Sequence, residues 1–377
     1  AEQCARYDLK PILAYESRAR WLEEINGAVY ASLSTADEPI WVISTNATFA
    51  GSTFQEKITQ FRDPVLIIAD EAHNLGAAGL REKLPADARF RLALSATPER
   101  WYDETGTEAL FAYFGEVLEP EFSIADALKA GALVPYEYHP IIVELDEEEG
   151  EEYLRISKKI AAIAGGSVDE ADQHVQHLLI QRARLVASAG NKLQALRQLI
   201  ESMDQVHHLL VYCGDGSSED DQGASMRQVE RICQILGSEL AIRAATFTAE
   251  TKRDERQRLI ARLDDGSLQA LVAIRCLDEG VDIPSVETGV ILASSTNPRQ
   301  FIQRRGRLLR PSPGKSRAKI YDMIVTPPEN TEMYESERSL VRKELQRFRE
   351  FAQLATNGAR ASLEVLGLQK RFGLLDT

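Results

Sequence analysis

The sequence predicts an α/β protein with two parallel-sheet domains in tandem, followed by a helical C-terminal segment. Three observations predict this fold class. Short, almost continuously apolar runs alternate with amphipathic helical stretches, which is typical of parallel strands covered by helices on both faces. An acidic run divides these strands into two groups. The 377 residues are enough for two domains, at roughly 100–200 residues each.

The predicted strands are apolar runs of five to seven residues. They occupy residues 40–44, 65–69 and 90–94 in the first group, and 208–213, 270–274, 289–293 and 318–324 in the second. Helical stretches lie between them. One begins near Asn191, because Leu193, Leu196 and Ile200 fall on one face of a helix.

The acidic run marks the boundary between the two groups of strands. Glu144–Glu152 carries seven acidic residues in nine, and such runs are usually solvated connectors. Near the end of the chain, Val341, Leu345 and Phe348 recur at helical spacing. We therefore expect a first domain at 1–120, an acidic and helical connection at 121–190, a second domain at 191–327 and a helical C-terminal extension at 328–377.

The charge of the chain limits the classes of function. Its 44 basic and 58 acidic residues give a net charge of −14, which argues against a protein coated with basic residues. Eight Lys or Arg and no acidic residue lie between Thr288 and Tyr321, so phosphate binding is expected to be local. No apolar run reaches the ~18 residues of a membrane span, and no signal peptide is recognisable. We expect a cytoplasmic protein, associated with the nucleoid if its source is bacterial.

Two adjacent carboxylates, Asp70 and Glu71, follow the predicted strand 65–69 directly. The carboxyl ends of parallel strands are where α/β proteins bind ligands. Nucleotide hydrolysis needs one carboxylate to hold Mg²⁺ and a second group to activate water. The pair supplies both, and the alternative interpretation is a solvated loop after a strand.

Further polar motifs follow the later predicted strands. They are Ser95–Thr97, Asp278–Asp282 and Gln303–Arg310. Together with Asp70–His73, which has the DEAH spelling, this ordered set resembles motifs II, III, V and VI of the superfamily 2 helicases and translocases. Residues 44–49 and 211–213 are similar to the family's motifs Ic and IV. The resemblance spans most of residues 1–326 and implies two RecA-like domains, with ATP in the cleft between them and nucleic acid across the other face.

The resemblance implies a role for each matching residue. Asp70 would hold Mg²⁺ through water and Glu71 would act as general base, while His73 and Gln303 would couple the γ-phosphate to domain closure. The implied ATP contacts are Asp70, Glu71, Gly280, Asp282, Arg307 and Arg310, the last two as arginine fingers. The implied nucleic-acid contacts are Thr45, Ser95, Thr97 and Arg299.

The phosphate-binding loop of the family, GxxxxGKS/T, does not occur in the sequence. Its one Gly-Lys-Ser, at Gly314–Ser316, follows the last motif and is flanked by prolines, which predicts a turn. The resemblance begins just past motif Ia, so we expect the first domain to be N-terminally truncated. Either the chain is part of a longer motor or it is a non-hydrolysing nucleic-acid-binding or scaffold relative. We expect little or no ATP hydrolysis by the 377-residue chain alone.

The spelling of the motifs favours a DNA-acting branch of the family. Leu308 and Leu309 stand where DEAH-box RNA helicases usually carry Ala-Gly, and residues 279–284 look like those of XPB-like repair helicases and of restriction or phage-defence motors. The expected function is an ATP-dependent DNA helicase or double-stranded DNA translocase, in repair or defence, that couples hydrolysis in the cleft to movement. Duplex DNA is the expected partner, with other subunits of such a complex as further candidates, and an RNA helicase is the alternative.

Histidines give a weaker signal. His174 and His177 lie three residues apart on a predicted helix, but no second pair with ligand spacing accompanies them, which favours surface residues over a metal site. His207 and His208 precede a predicted strand and are interpreted as boundary residues.

Overall fold

The computed structural model describes residues 2–15, 17–32, 39–61, 64–100, 103–164, 173–214, 216–219, 225–274, 283–293, 298–329 and 334–375. Two compact units, Ala1–Glu121 and Phe122–Thr377, divide the chain. The finer boundaries at residues 190 and 327 stay predictions. The predicted fold class is confirmed, with a parallel six-stranded sheet and a helical C-terminal segment. Within the described ranges, no helix is both long and apolar enough to cross a membrane.

The first unit contains two short parallel sheets. Its elements are α1 (Glu2–Ala5), β1 (Ile12–Ala14), α2 (Arg18–Ser32), β2 (Val42–Ser44), α3 (Asn46–Ala50), α4 (Ser52–Ile58), β3 (Leu66–Ala69), a 3₁₀ helix (Ala72–Gly76), α5 (Ala78–Arg81), β4 (Phe90–Ala93) and α6 (Glu104–Phe114). Strand β1 pairs with β2, and β3 pairs with β4, both in parallel. A small core forms where Trp21 of α2 contacts Phe54 of α4 edge to face, with ring centroids 5.9 Å apart.

One face of the β3–β4 sheet is apolar and exposed. Leu66 and Ile68 alternate along β3, and Phe90 lies opposite Leu66 in the register. These side chains and Leu94 are 48–53% exposed. On the other face, Ala69 packs in a cluster with Leu110 and neighbouring apolar residues. Parallel sheets are normally covered on both faces, so this face has the composition of a buried surface.

The second unit is built on a six-stranded sheet. Its elements are α7 (Ile124–Lys129), β5 (Tyr136–Glu144), α8 (Glu147–Ala164), α9 (Gln173–Ser188), α10 (Asn191–Glu201), β6 (Leu209–Cys213), β7 (Ser217–Glu219), β8 (Ser225–Arg227), α11 (Gln228–Gln234), a π-helix (Ile235–Glu239), β9 (Ala244–Phe247), α12 (Arg253–Asp264), β10 (Ala270–Ile274), β11 (Thr288–Ile291), α13 (Pro298–Leu308), β12 (Ala318–Thr326), α14 (Glu335–Ala352) and α15 (Gly358–Phe372). The strand order is β5-β12-β11-β6-β10-β9, with every neighbouring pair parallel. Strand β6 is buried at every residue, which explains its continuous apolar run.

The segment expected to connect the domains contributes the edge strand β5 to this sheet. Strand β5 pairs with β12 along nine residues, and Tyr138 of β5 stacks on Phe351 of α14 with ring centroids 5.2 Å apart. The Tyr136 hydroxyl donates a hydrogen bond to the Phe351 carbonyl at 2.5 Å. Asn357, just before α15, both accepts from the Tyr138 N–H at 2.8 Å and donates to its carbonyl at 2.9 Å. The C-terminal helices are therefore part of the core of the second unit.

The acidic run begins helix α8. The Glu149 N–H donates to Asp146 Oδ1 at 2.8 Å, and Glu149 Oε2 accepts from the Asp146 N–H at 3.2 Å. This reciprocal pattern is a helix cap, and acidic side chains in a first turn interact favourably with the helix dipole. Glu149 Oε1 also accepts from the Gly190 N–H at 2.8 Å, and burial raises the pKa of Glu149. Asp146 and Glu149 of the acidic run therefore stabilise the start of α8 and its contact with Gly190.

Candidate active site

The paired carboxylates lie in a tight turn at the carboxyl end of β3. Asp70 is exposed and its Oδ1 accepts from the Glu71 N–H at 3.0 Å. Glu71 has left-handed backbone angles, φ 48° and ψ 47°, which cost a residue with a Cβ about 1 kcal/mol or more. The Ala72 N–H donates to the Leu94 carbonyl at 3.0 Å, which ties the turn to the chain following β4. The turn is therefore held in a conformation that a free loop would disfavour.

His73 links the carboxylates to the residues after β4. Its Nδ1 lies 3.3 Å from Ser95 Oγ and 3.5 Å from Glu71 Oε2, and the side chain is buried. The Ser95 hydroxyl donates its one hydrogen to the Thr97 carbonyl at 3.0 Å. Ser95 Oγ must therefore accept from His73, which places the imidazole proton on Nδ1. That nitrogen also lies near the Glu71 carboxylate, so Ser95, His73 and Glu71 form a polar chain of neighbouring side chains in which Ser95 and His73 are hydrogen-bonded.

Arg100 fixes the backbone of the histidine, a role that the motif search missed. Its Nη1 donates to the His73 carbonyl, and its Nε donates to Asp103 Oδ2 at 2.6 Å. Asp103 caps α6 by accepting from the Gly106 N–H at 2.8 Å. The hydrogen bond from Arg100 is the main cause that lowers the pKa of Asp103. The sequence signal that could have indicated this contact is Asp103, because an aspartate just before a helical stretch is a typical N-cap residue.

The close approach of these elements requires glycine at position 76. A Cβ on Gly76 would lie 2.4 Å from Arg100 Cδ and 2.7 Å from the Gly106 carbonyl oxygen. No side chain fits at such distances without movement of its neighbours. The 3₁₀ helix that carries His73 is therefore packed directly on Arg100 and on the start of α6.

In the second unit, helix α13 and the turn that follows it carry Arg304, Arg305, Arg307 and Arg310 in two different environments. Arg304 and Arg305 are 2% and 3% exposed. Their guanidinium carbons lie 5.1 Å from the Tyr212 ring centroid and 5.2 Å from that of Phe351, respectively, and Arg305 also donates to the Glu350 carbonyl. Gln303, Arg307 and Arg310 are partly exposed. Burial thus separates two packing arginines from the two that match the family's arginine fingers.

Among the side chains that the structure describes, the basic segment between Thr288 and Tyr321 does not form a continuous basic surface. Besides Arg304 and Arg305, Lys315 is buried, and its Nζ donates to the carbonyls of Leu308 at 2.7 Å and Pro284 at 3.1 Å. Arg317 pairs with Glu137 at 2.8 Å. The predicted turn at Gly314–Ser316 is confirmed, with Gly314 at φ 83°. Lys315 holds this turn against α13 through its hydrogen bond to the Leu308 carbonyl.

Of the remaining predicted residues, Thr45 is fully described by the structure, whereas Gly280, Asp282 and Arg299 are not. Thr45 caps α3, with its Oγ1 accepting from the Thr48 N–H at 3.2 Å, and it is exposed. Gly280 and Asp282 lie outside the described residues, and for Arg299 only the backbone, within α13, is described. The structure brings together Asp70, Glu71, His73, Ser95 and Thr97 in the first unit. In the second unit, Gln303 and Arg307 lie on α13 and Arg310 lies two residues after its end.

A buried ionic network behind the sheet of the second unit was not predicted. Arg347 of α14 donates to Asp322 Oδ2 of β12 at 2.9 Å and to Glu344 Oε2 at 2.9 Å. The Tyr138 hydroxyl donates to Asp322 Oδ2 at 2.9 Å. Charged residues at helical spacing look like a solvated face in sequence, so no local signal distinguishes this network.

Lys192 is a second buried charge that sequence reasoning missed. Its Nζ donates to the carbonyls of Val186 at 2.8 Å and Leu292 at 2.5 Å. Burial lowers the pKa of Lys192 to about 7. The side chain connects the ends of α9 and β11 from the start of α10, and only the tertiary fold shows that it points inward.

Comparisons with known proteins place this geometry in context. Residues 191–312 match the helicase conserved C-terminal domain family. A DNA 3'-5' translocase, XPB2, of Sulfurisphaera tokodaii is 23% identical over 265 residues, which cover 65% of this chain and 55% of that protein. A putative DNA 3'-5' helicase, Rad25, of Haloarcula marismortui is 27% identical over 289 residues, which cover 71% of this chain and 37% of that protein.

A comparison with solved structures also shows a similar fold. The chain is similar to a DNA-bound, ATP-dependent Type ISP restriction-modification enzyme, LlaBIII, with a TM-score of 0.52 and 14% identity over 90% of this chain and 23% of that one. At that identity the likeness concerns the fold. The chain spans about half, or less, of the length of the curated relatives that it matches.

Proposed function

The chain contains a superfamily 2 helicase or translocase core, and from this premise we propose that it belongs to an ATP-dependent motor that acts on DNA. One observation carries the proposal: Asp70, Glu71 and His73 lie in one strained turn that is hydrogen-bonded to Ser95 after the neighbouring strand. The names of the relatives, a DNA translocase and a DNA helicase, support DNA as the polymer.

Asp70 is the proposed Mg²⁺ residue. It is an exposed carboxylate at the carboxyl end of a parallel strand, and carboxylate oxygen is the ligand type that Mg²⁺ prefers. Bound through water at Asp70, the ion would supply positive charge to the phosphate groups of ATP. The residues present therefore fit the metal.

Glu71 is the proposed general base. Its carboxylate would accept a proton from the attacking water, and His73, whose Nδ1 lies 3.5 Å from Oε2, would orient that carboxylate. Because Ser95 orients the same imidazole, contact of nucleic acid with Ser95 or Thr97 would be transmitted to Glu71. We propose this polar chain as the route by which DNA binding changes hydrolysis.

Arg307 of α13 and Arg310, two residues after the end of this helix, are the proposed arginine fingers, and Gln303 precedes Arg307 by one turn of α13. A guanidinium stabilises the charge that develops on a transferred phosphoryl group, and loss of such a finger costs about 10³–10⁵ in rate. The buried Arg304 and Arg305 would hold the helix in place. Gly280 and Asp282 stay proposed nucleotide contacts, and Thr45 and Arg299 stay proposed nucleic-acid contacts.

The polymer is tested first, on the 377-residue chain itself. Fluorescence anisotropy is measured with labelled duplex DNA, single-stranded DNA and RNA of equal length, and we expect the tightest binding to duplex DNA. Binding should weaken as salt rises, since phosphate contacts release counterions. Preference for RNA would overturn the DNA assignment and favour the RNA helicase alternative.

Hydrolysis is tested in a protein that includes a phosphate-binding loop. Sequencing upstream of the codon for Ala1 shows whether a strand, a GxxxxGKS/T loop and a helix are encoded there. In such a protein, Glu71→Gln should abolish DNA-stimulated ATP turnover and preserve DNA affinity, while the exposed Glu82→Gln in the same unit should change neither. Turnover that survives Glu71→Gln would contradict the general-base assignment.

A non-hydrolysing DNA-binding or scaffold relative is the second candidate function. An upstream sequence without a GxxxxGKS/T loop, together with salt-sensitive DNA binding, would support it over the motor. Under the motor proposal the cellular role would be DNA repair or restriction and phage defence, in the cytoplasm, with other subunits as partners.

A further inference from the structure

Two adjacent histidines and a glutamate lie together at the amino edge of the large sheet. His207 and His208 immediately precede β6, and Glu287 immediately precedes β11. These strands are parallel neighbours with Leu209 opposite Thr288, so His208 and Glu287 occupy equivalent positions at their ends. Among the residues that the structure describes, these three are the one group of three or more His, Cys, Asp or Glu whose candidate ligand atoms lie within 4.8 Å of one another.

We propose that His207, His208 and Glu287 bind a divalent transition-metal ion of the Zn²⁺ type. His208 Nδ1 lies 3.4 Å from Glu287 Oε1, and His207 Nδ1 lies 3.8 Å from Glu287 Oε2. Two ligand atoms at about 2.1 Å from a tetrahedral Zn²⁺ are about 3.4 Å apart. Each imidazole nitrogen therefore lies at close to this spacing from one oxygen of the Glu287 carboxylate, and small side-chain rotations would bring the three candidate ligand atoms, which lie within 4.8 Å of one another, onto a shared ion.

The backbone explains how two consecutive residues reach the same carboxylate. In an extended strand, neighbouring side chains point to opposite faces. His208 instead has a left-handed conformation, with φ 46°, and its carbonyl accepts from the N–H groups of Glu287 at 3.0 Å and Thr288 at 3.3 Å. The imidazole rings are held at 85° to each other with centroids 5.4 Å apart, and both approach Glu287.

The chemistry of the group matches the ion. Imidazole nitrogen and carboxylate oxygen are Zn²⁺ ligands, and three protein ligands leave the fourth position to water. The His207 side chain is 51% exposed, which gives an ion access from solvent. The group lies at the amino ends of the strands, whereas α13 follows the carboxyl end of β11. The inference therefore does not depend on the proposed hydrolysis site, and metal binding can be measured without nucleotide or DNA.

The test is metal binding by the chelator-treated 377-residue chain. Titration with Zn²⁺ in competition with a chromogenic chelator should show one site. Glu287→Gln and His207→Ala should each weaken it by more than the roughly 10- to 100-fold that loss of an outer-sphere partner costs. His208→Asn is the third variant, since asparagine tolerates the left-handed conformation, and circular dichroism confirms that each variant is folded.

His174→Ala/His177→Ala is the matched control, because it removes two exposed histidines of α9 and should leave the affinity unchanged. Co²⁺ substitution gives an independent readout: visible bands of a four-coordinate nitrogen and oxygen site are expected in the wild type and not in Glu287→Gln. The proposal is overturned if the folded variants bind Zn²⁺ as the wild type does. It is equally overturned if only the α9 control loses binding, or if Co²⁺ shows the charge-transfer bands of thiolate ligands.

Discussion

Arg347→Met is expected to destabilise the second unit by about 3–5 kcal/mol, the cost of breaking a buried ion pair by removing one partner. The guanidinium donates to Asp322, to Glu344 and, at 3.2 Å, to the Met323 carbonyl. The three charged side chains are at most 3% exposed. Methionine retains much of the apolar volume but leaves two buried carboxylates without their cation, so the loss is electrostatic.

The matched control is Arg342→Met on the same helix. Arg342 contacts Glu335 at 3.4 Å with both side chains well exposed, and such pairs contribute about 0–1 kcal/mol. The free energy of unfolding is measured by urea denaturation followed by far-ultraviolet circular dichroism. Tryptophan fluorescence reports the first unit, because all three tryptophans lie before residue 121, and hydrogen exchange in peptides from β12 and α14 localises the loss.

The pH dependence of Arg347→Met gives a second test of the same reasoning. Burial raises the pKa of Asp322, and Arg347 opposes that increase, so the variant should have a higher Asp322 pKa. A carboxyl whose folded pKa lies above its unfolded value of about 3.9 stabilises the fold at low pH, and that contribution is lost as pH rises through the folded pKa. The deficit of the variant should therefore shrink as pH falls from neutrality through the raised pKa of Asp322. Equal losses for Arg347→Met and Arg342→Met, or a deficit that grows on acidification, would refute the argument.

Three further predictions concern single side chains. Burial lowers the pKa of Lys192 to about 7, whereas its pKa in the unfolded chain is about 10.4. Between these two pH values only the unfolded state holds the proton. The free energy of unfolding of the wild type should therefore rise by up to about 1.4 kcal/mol per pH unit from this group above about pH 7. Denaturation midpoints of Lys192→Met should lack that gain, and an unchanged slope would contradict it. Gly76→Ala would place a Cβ 2.4 Å from a neighbouring side-chain carbon and should cost about 1–3 kcal/mol by tryptophan-monitored unfolding, while Gly79→Ala, with nothing within 4 Å, should not. Ser95→Ala should shift the Nδ1–H signal of His73 in proton NMR, because Ser95 Oγ accepts from that nitrogen in the wild type, and a wild-type imidazole that carries its proton on Nε2 alone would disprove the tautomer assigned to His73.

The strands that were predicted from the sequence are those whose own residues form a short, continuous apolar run. Strands β3 and β10 lie within the predicted runs 65–69 and 270–274, and the carboxylates after β3 mark the candidate site in the sequence itself. Strand β5 was missed because Pro140 interrupts it. The proline is tolerated there because β5 is an edge strand, where one side of the backbone has no partner, and its pairing with β12 is not a local property.

In the candidate site, too, local motifs predict some features, whereas contacts between distant residues determine others. The resemblance implied six catalytic positions, Asp70, Glu71, His73, Gln303, Arg307 and Arg310, but it gave no role to Arg304 and Arg305. The packing role of these two arginines depends on Tyr212 and Phe351, which come from distant parts of the chain and provide the ring faces. Likewise Arg100 acts on His73 from 27 residues away, and no spacing rule links the two.

The position of β5 has a consequence for synthesis of the protein. Tyr136 is bonded to Phe351 across 215 residues, and β5 has β12 as its neighbouring strand. During translation, an aromatic edge strand is therefore made long before the chain that pairs with it and covers it. The second unit can complete its core only after α14 has left the ribosome, so its folding is late and non-local, and such intermediates are prone to association through unpaired strands.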